Sequence, residues 1–192
     1  MELRGARDML IQGKLTRMVP FSEEHLYDPA YYKWLQDVDV VRYIGRDELL
    51  ADYPFAEAEN YVKQLWANEH CHFFAVYDRE SGKFIGTAKL NFVTEHDRNH
   101  GIADVGLMLG DRNFWARGMS TDLLRAISAY AFDVLEVRKL SAGANSVNIA
   151  VVKAFIRIGF KVDGTLRQQL YADKAYCDHV LLSCFEDELI RD

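Results

Sequence analysis

An apolar, strand-like run from Ile102 to Leu109 leads through a short turn into Asn113-Phe114-Trp115-Ala116-Arg117-Gly118-Met119-Ser120-Thr121-Asp122. Behind it come Leu123, Leu124, Ile127, Tyr130, Ala131 and Val134, spaced for one face of an α-helix. A strand that turns into a helix through a small residue and a glycine leaves main-chain N–H groups free at the helix start. The helix dipole adds positive potential there. The spacing therefore predicts an anion cradle suited to a pyrophosphate.

The rest of the chain must fit around that strand–turn–helix unit. Lys14 to Val19 alternates as a first strand and ends at Pro20, and Ser22 is an N-cap signal for a helix running through Trp34. Phe55 to Ala67 reads as a second helix, with Ala58, Tyr61, Val62 and Leu65 on one face. His72 to Asp78 and Lys83 to Val93, joined by Arg79-Glu80-Ser81-Gly82, form a hairpin signal. Thr94 to Gly101 reads as a polar loop. Lys139 to Ala144 is a short strand, Asn148 to Ile158 a helix closed by Gly159, and Phe160 to Tyr171 and Cys177 to Phe185 two last strands. This order predicts an α/β (α+β) fold, a mixed sheet with helices packed on it rather than a regular strand–helix alternation.

At 192 residues the chain is expected to form one domain over 1–192, with 1–14 as an irregular N-terminal extension. No apolar run is long enough to cross a membrane and no secretory leader is legible, so a cytoplasmic location is expected. Lys plus Arg number 23 against 29 Asp plus Glu, a formal charge of −6. This argues against broad nucleic-acid binding and is compatible with a cationic substrate. The three cysteines, Cys71, Cys177 and Cys184, have no metal-like spacing and read as free thiols. His70-Cys71-His72 lacks a further ligand at suitable spacing, so no metal is expected.

The pattern resembles the GNAT acetyltransferase superfamily, and within it the ribosomal-protein-alanine (RimJ/RimL-like) type. The resemblance runs from about Leu15 to Leu189 and rests on four features. The family's phosphate-loop frame falls on Asn113 to Gly118, with Asn113 and Ala116 departing from the usual residues. Phe84-Ile85-Gly86-Thr87 is similar to the third-strand signature. Asn148 stands eleven residues before Gly159. Gly164-Thr165-Leu166-Arg167 with Tyr176 and Asp178 is similar to the paired last strands. The resemblance implies a mostly antiparallel sheet of about seven strands, splayed between the fourth and fifth, with about four helices.

It also implies acetyl-CoA as donor and an amine as acceptor, either a small molecule or a protein N-terminus. A polyamine and a nucleotide-linked amino sugar are alternatives, and the chain would be a monomer or homodimer. The expected donor site is Val105, Leu107, Leu109, Arg112, Ala116, Arg117, Gly118, Met119, Ser120, Thr121 and Asn148, with an N–H near Leu107 holding the thioester oxygen. Gly106 would ease a bulge or splay in that strand. An amine must lose a proton before it attacks, and Asp104 is the first candidate base, with Glu95 and His96 in the preceding loop as further candidates. Where the family often has a tyrosine and a serine able to protonate the leaving thiolate, this chain has Phe155 and Val151. Tyr171, Tyr176, Ser146 or solvent would have to serve instead. A CoA-binding module without catalysis is the rival reading.

Overall fold

The computed structural model describes residues 9–192. Eight strands form one sheet: β1 (Ile11–Gln12), β2 (Thr16–Pro20), β3 (Cys71–Asp78), β4 (Phe84–Asn91), β5 (Ile102–Leu109), β6 (Lys139–Asn145), β7 (Lys161–Ala172) and β8 (Ala175–Phe185). Seven α-helices accompany them: α1 (Glu23–Leu26), α2 (Pro29–Leu35), α3 (Val38–Val41), α4 (Phe55–Ala67), α5 (Glu95–His100), α6 (Met119–Asp133) and α7 (Ile149–Arg157). The spatial order is β1-β2-β3-β4-β5-β6-β8-β7. Every neighbouring pair is antiparallel except β5 with β6.

The mixed, mostly antiparallel sheet and its splayed pair agree with the sequence reading, and the eighth strand is the two-residue β1. β1 falls inside the segment expected to be irregular, whose residues 1–8 lie outside those described. Two local expectations are corrected. The helix expected to run from Ser22 through Trp34 is broken into α1 and α2. Pro29 lacks an N–H to continue the first helix, and Asp28 caps the second through Ala30 N at 2.8 Å. The expected loop 94–101 is helical as α5. Thr94 and Asp97 form a capping box, and Gly101 closes it in the left-handed region at φ 62°.

Alternation along the strands sends side chains to two separate cores. On one face, Leu123, Leu124 and Ile127 of α6 and Phe155 of α7 pack on Ile85, Leu90, Leu140 and Leu182. On the other, α2 and α4 lay Tyr31, Trp34, Leu35, Ala58 and Val62 over Ala75, Phe84 and Met108. Val134, read as part of the α6 stripe, is its exposed C-cap.

A buried carboxylate fixes the start of α6. Asp122 accepts hydrogen bonds from the N–H groups of Lys14 (2.7 Å), Leu15 (3.0 Å) and Thr16 (2.8 Å) and from the Thr16 hydroxyl (2.8 Å). A Cβ on Gly13 would collide with that carboxylate, so the turn before β2 closes directly on the helix. Removing the acceptor strands four donors. Asp122→Ala is expected to lower the unfolding free energy by about 2–4 kcal/mol in urea denaturation. A loss below about 1 kcal/mol would mean that water replaces the carboxylate there.

Candidate active site

The turn from β5 to α6 is built by side chains that satisfy its backbone and leave one stretch bare. Asp111 accepts from Asn113 N (3.0 Å) and Nδ2 (2.9 Å) and pairs with Lys83 at 2.6 Å. Partial burial opposes its ionisation, but Lys83 and the Asn113 donors hold its carboxyl below the usual range. Trp115 then donates its indole N–H to Leu109 O at 2.8 Å. Ala116 and Gly118 take left-handed conformations, φ 59° and 80°, on either side of Arg117. A Cβ on Gly118 would meet only the Leu15 side chain at 3.7 Å, so it is the backbone angle, not space, that favours glycine there. The amides of residues 116 to 121 have no backbone acceptor among the described residues. Asp122 N is the first in this stretch to be bonded, to Gly118 O at 3.0 Å. Consecutive N–H groups without acceptors at the start of a fifteen-residue helix have the chemistry to receive an anion.

The strand leading into that loop has an open edge. β5 and β6 pair only at Ile102–Lys139, Ala103–Leu140 and Asp104–Ser141 and then part. Gly110 N donates to Ile85 O, and β4–β5 register is unbroken from Asn91–Asp104 to Gly86–Leu109. Peptide orientation alternates along an antiparallel strand, so residues 105, 107 and 109 turn their peptide groups away from β4, toward the gap. The Leu109 carbonyl is taken by Trp115, while the peptide groups of Leu107 face the opening beyond the last β6 pair. No bulge occurs at Gly106. Instead the Lys89 side chain lies across β5 there, and a Cβ on Gly106 would meet it in ordinary contact at 3.4 Å.

A cleft of about 760 Å³ passes through this gap. Trp115, Ala116 and Ser120 line one end, Leu107 with Asn148, Val151 and Phe155 the middle, and Tyr31, Arg42, Arg46, Tyr61 and Lys89 the far end under α2 to α4. Asp104 lines it too, opposite Asn91 of β4 and Ser141 of β6. Burial pushes the Asp104 carboxyl above the ordinary range, and the Lys89 ammonium only partly offsets this. Nearby, Asn91 Oδ1 is buried with no hydrogen-bond partner among the described residues. His179 of β8 packs over Gly143, where a Cβ would strike its ring.

A protein-family model described as an acetyltransferase (GNAT) domain matches residues 16–161. The chain belongs to the GNAT acetyltransferase family. Members of this family are N-acetyltransferases, and the uncharacterized N-acetyltransferase p20 of Bacillus licheniformis is 24% identical over 80% of this chain and 90% of its own length. The same fold recurs in the spermidine N-acetyltransferase of Vibrio cholerae solved with CoA and spermine (TM-score 0.78, 16% identity, 91% of this chain and 97% of that one). It recurs also in the ribosomal-protein-S5-alanine acetyltransferase of Vibrio fischeri (TM-score 0.75, 18% identity, 95% and 100%).

Within this GNAT fold the residues singled out from sequence fall into four groups. Val105, Leu107, Leu109, Ala116, Ser120, Asn148 and Asp104 line the cleft. Arg117, Gly118, Met119 and Thr121 continue the amide row beyond it, and Arg117 is exposed, its guanidinium 5.6 Å from the Phe114 ring centroid. Arg112 pairs with Asp39 at 2.7 Å and Asp37 at 3.5 Å, and so points its charge at α3. Glu95 and His96 sit on α5, outside the cleft lining, with His96 stacked against His100 at 4.3 Å.

Asn148 caps α7, its Oδ1 accepting from Val151 N at 3.4 Å. Among the hydroxyls considered for the thiolate, Tyr171 and Tyr176 pair with each other on the exposed hairpin and Ser146 accepts from Asp178 N at 3.1 Å; none lines the cleft. Arg42 belongs to the Val41-Arg42-Tyr43 segment, which resembles acetyltransferases of nucleotide-linked amino sugars, and Tyr61 was expected only as a helix-face residue; Lys89 and Arg46 were not expected in the site. Lys89 was legible as the one charge in the apolar β4 run, whereas Arg46 comes from a region with little periodicity.

The raised Asp104 carboxyl gives a signed expectation for stability. The native state holds this proton to higher pH than the unfolded chain does. Stability attributable to Asp104 is therefore full at acid pH and falls as pH rises from the ordinary carboxylate range through the raised native value. Asp104→Asn should remove that loss, becoming relatively more stable toward neutral pH. Paired urea titrations across that range check it, and parallel curves for the two proteins would contradict the burial argument.

Proposed function

We propose that this GNAT acetyltransferase moves an acetyl group from acetyl-CoA to a primary amine by direct attack, the whole chain acting as one catalytic unit. The observation that carries the reading is the row of free amides at 116 to 121 leading into the unpaired β5 edge, with Asp104 close by. The amides suit the diphosphate, with Arg117 adding exposed positive charge. The Leu107 peptide groups suit the amides of the pantetheine arm, in the manner of an added strand. CoA in the spermidine N-acetyltransferase neighbour supports acetyl-CoA as donor substrate.

The amine nitrogen forms a bond to the thioester carbonyl carbon, the carbon–sulfur bond breaks, and the nitrogen gives its second proton to solvent. Charge developing on the carbonyl oxygen is stabilised by the Leu107 N–H. The ammonium proton passes to Asp104, directly or through water, before attack. A carboxyl held above its usual range is a better base than an ordinary carboxylate at neutral pH. Phe155 supplies no proton, and the Tyr43 hydroxyl in the cleft is committed to Asp173 at 2.7 Å. We assign protonation of the leaving thiolate to solvent, which a thiol of ordinary acidity permits.

The second reading, a CoA-binding module without turnover, draws on the absence of a hydroxyl at both Phe155 and Val151. Calorimetric titration with CoA and thiol release with a panel of amines separate the two: binding with release supports transfer, binding without release across the panel supports the module. Gly118→Glu, which adds a side chain at φ 80° and a negative charge beside the amides, should weaken CoA binding by at least about tenfold. A folded variant with unchanged affinity would take Gly118 out of the site. Asp104→Asn should lower kcat/KM for the acceptor by about 10²–10³. In the unmodified enzyme, activity should fall as pH drops through the raised Asp104 value, above the ordinary carboxylate range. An acid limb at the ordinary carboxylate value, or one that survives Asp104→Asn, would assign the base elsewhere.

A further inference from the structure

The far end of the cleft is rich in cations, in a chain whose formal charge is −6. Arg42, Arg46 and Lys89 line it, against the carboxylates of Asp39 and Asp104. Neither carboxylate is free to hold a second cationic group: Asp39 is already bound by Arg112 at 2.7 Å, and Asp104 is the group that faces the amine undergoing transfer. The cations, in contrast, keep unused donors. Arg42 has its two carboxylate neighbours, Asp39 and Asp173, only at 3.7 and 3.6 Å, and its Nε is buried without an acceptor among the described residues.

Lys89 has no carboxylate within ion-pair distance among the described residues, and its stem crosses β5 over Gly106. Arg46 is held rigid. Its Nε meets Glu48 at 2.7 Å, its Nη2 donates to Tyr53 Oη at 3.0 Å, and its guanidinium carbon lies 3.9 Å from the Tyr61 ring centroid. A buried guanidinium donor without an acceptor is costly unless a ligand satisfies it.

From this we infer that the acceptor is an amine that also carries an anionic group, a phosphate or a carboxylate, lodged among Arg42, Arg46 and Lys89 while its amine is presented toward Asp104. The inference rests on the acetyl-transfer reading for the role of the amine, but the anion subsite can be measured without turnover. It sets this chain apart from the polycation held by the spermidine N-acetyltransferase neighbour. Lys89, which has no carboxylate partner among the described residues, and Arg42, with its unmet Nε, disfavour a polyamine, and their charge-assisted hydrogen bonds favour an anion.

The test is calorimetric titration of the CoA-saturated full chain with matched probes: glucosamine 6-phosphate against glucosamine, glycylglycine against glycylglycinamide, and spermine. One anionic member should bind at least about tenfold more tightly than its neutral partner. The sugar pair would assign a phosphate and the peptide pair a carboxylate. Lys89→Met and Arg42→Gln should abolish the advantage with CoA affinity unchanged, and Arg42→Lys should keep part of it. Equal binding within both pairs, tighter binding of spermine, or a preference that survives both charge-removing substitutions would overturn the inference. A chain that takes up no CoA fails the transfer reading instead. The same probes titrated into the free protein then decide the subsite by the same criteria.

Discussion

The site depends on two strands that stop pairing. β5 and β6 run parallel for three residue pairs and separate after Asp104 and Ser141. In a continuous sheet, the peptide groups of Leu107 would be consumed by a neighbour and the space beside them filled by packed side chains. Parting the strands exposes main-chain donors and acceptors that must find partners, because unsatisfied buried peptide groups are costly. It also opens the sheet from one face to the other, so that Asp104 on β5 shares a cleft with Ser120 of α6 and Tyr31 of α2.

Keeping that gap open requires its rims to be anchored elsewhere. β6 stays in register with β8 from Lys139–Phe185 to Asn145–His179, and β5 with β4 from Asp104 to Leu109. At the helix end, Asp122 gathers four donors from the β1–β2 turn, and Asp111 closes the β5–α6 turn with Lys83 and Asn113. These carboxylates satisfy the backbone around the start of α6, and among the described residues the amides of 116 to 121 are left bare. From the opposite face of the sheet, Trp34 lies against Gly110, where a Cβ would run into the indole, and so ties α2 to the same turn.

Much of this was legible in the sequence where local chemistry and long-range packing agree. The strand from Ile102 to Leu109, the glycine at 118 and the stripe behind it fixed the central unit, since period and turn residue pointed the same way. Failures had local causes. The α1–α2 break was written in Asp28-Pro29, and α5 in Thr94-x-x-Asp97 with Gly101, but both helices are so short that apolar periodicity gives no signal. Arg112 could be read as a phosphate ligand from its place in the chain. Its pairing with Asp37 and Asp39 depends on where α3 packs, which spacing alone does not reveal. Asp122 looked like one more residue at a helix start, because its partners lie more than a hundred positions earlier.

The two apolar cores on opposite faces of the sheet have a consequence for how such a protein can diversify. Elements that would grip the shared donor, α6 and α7, rest on one core, whereas α2 and α4, which roof the acceptor end, rest on the other. Residues without common neighbours contribute nearly additively to stability. Replacements in the roof that spare the Trp34–Gly110 contact and the pairs of Arg112 with Asp37 and Asp39 therefore leave the other half largely undisturbed, and a lineage can reshape the one while inheriting the other.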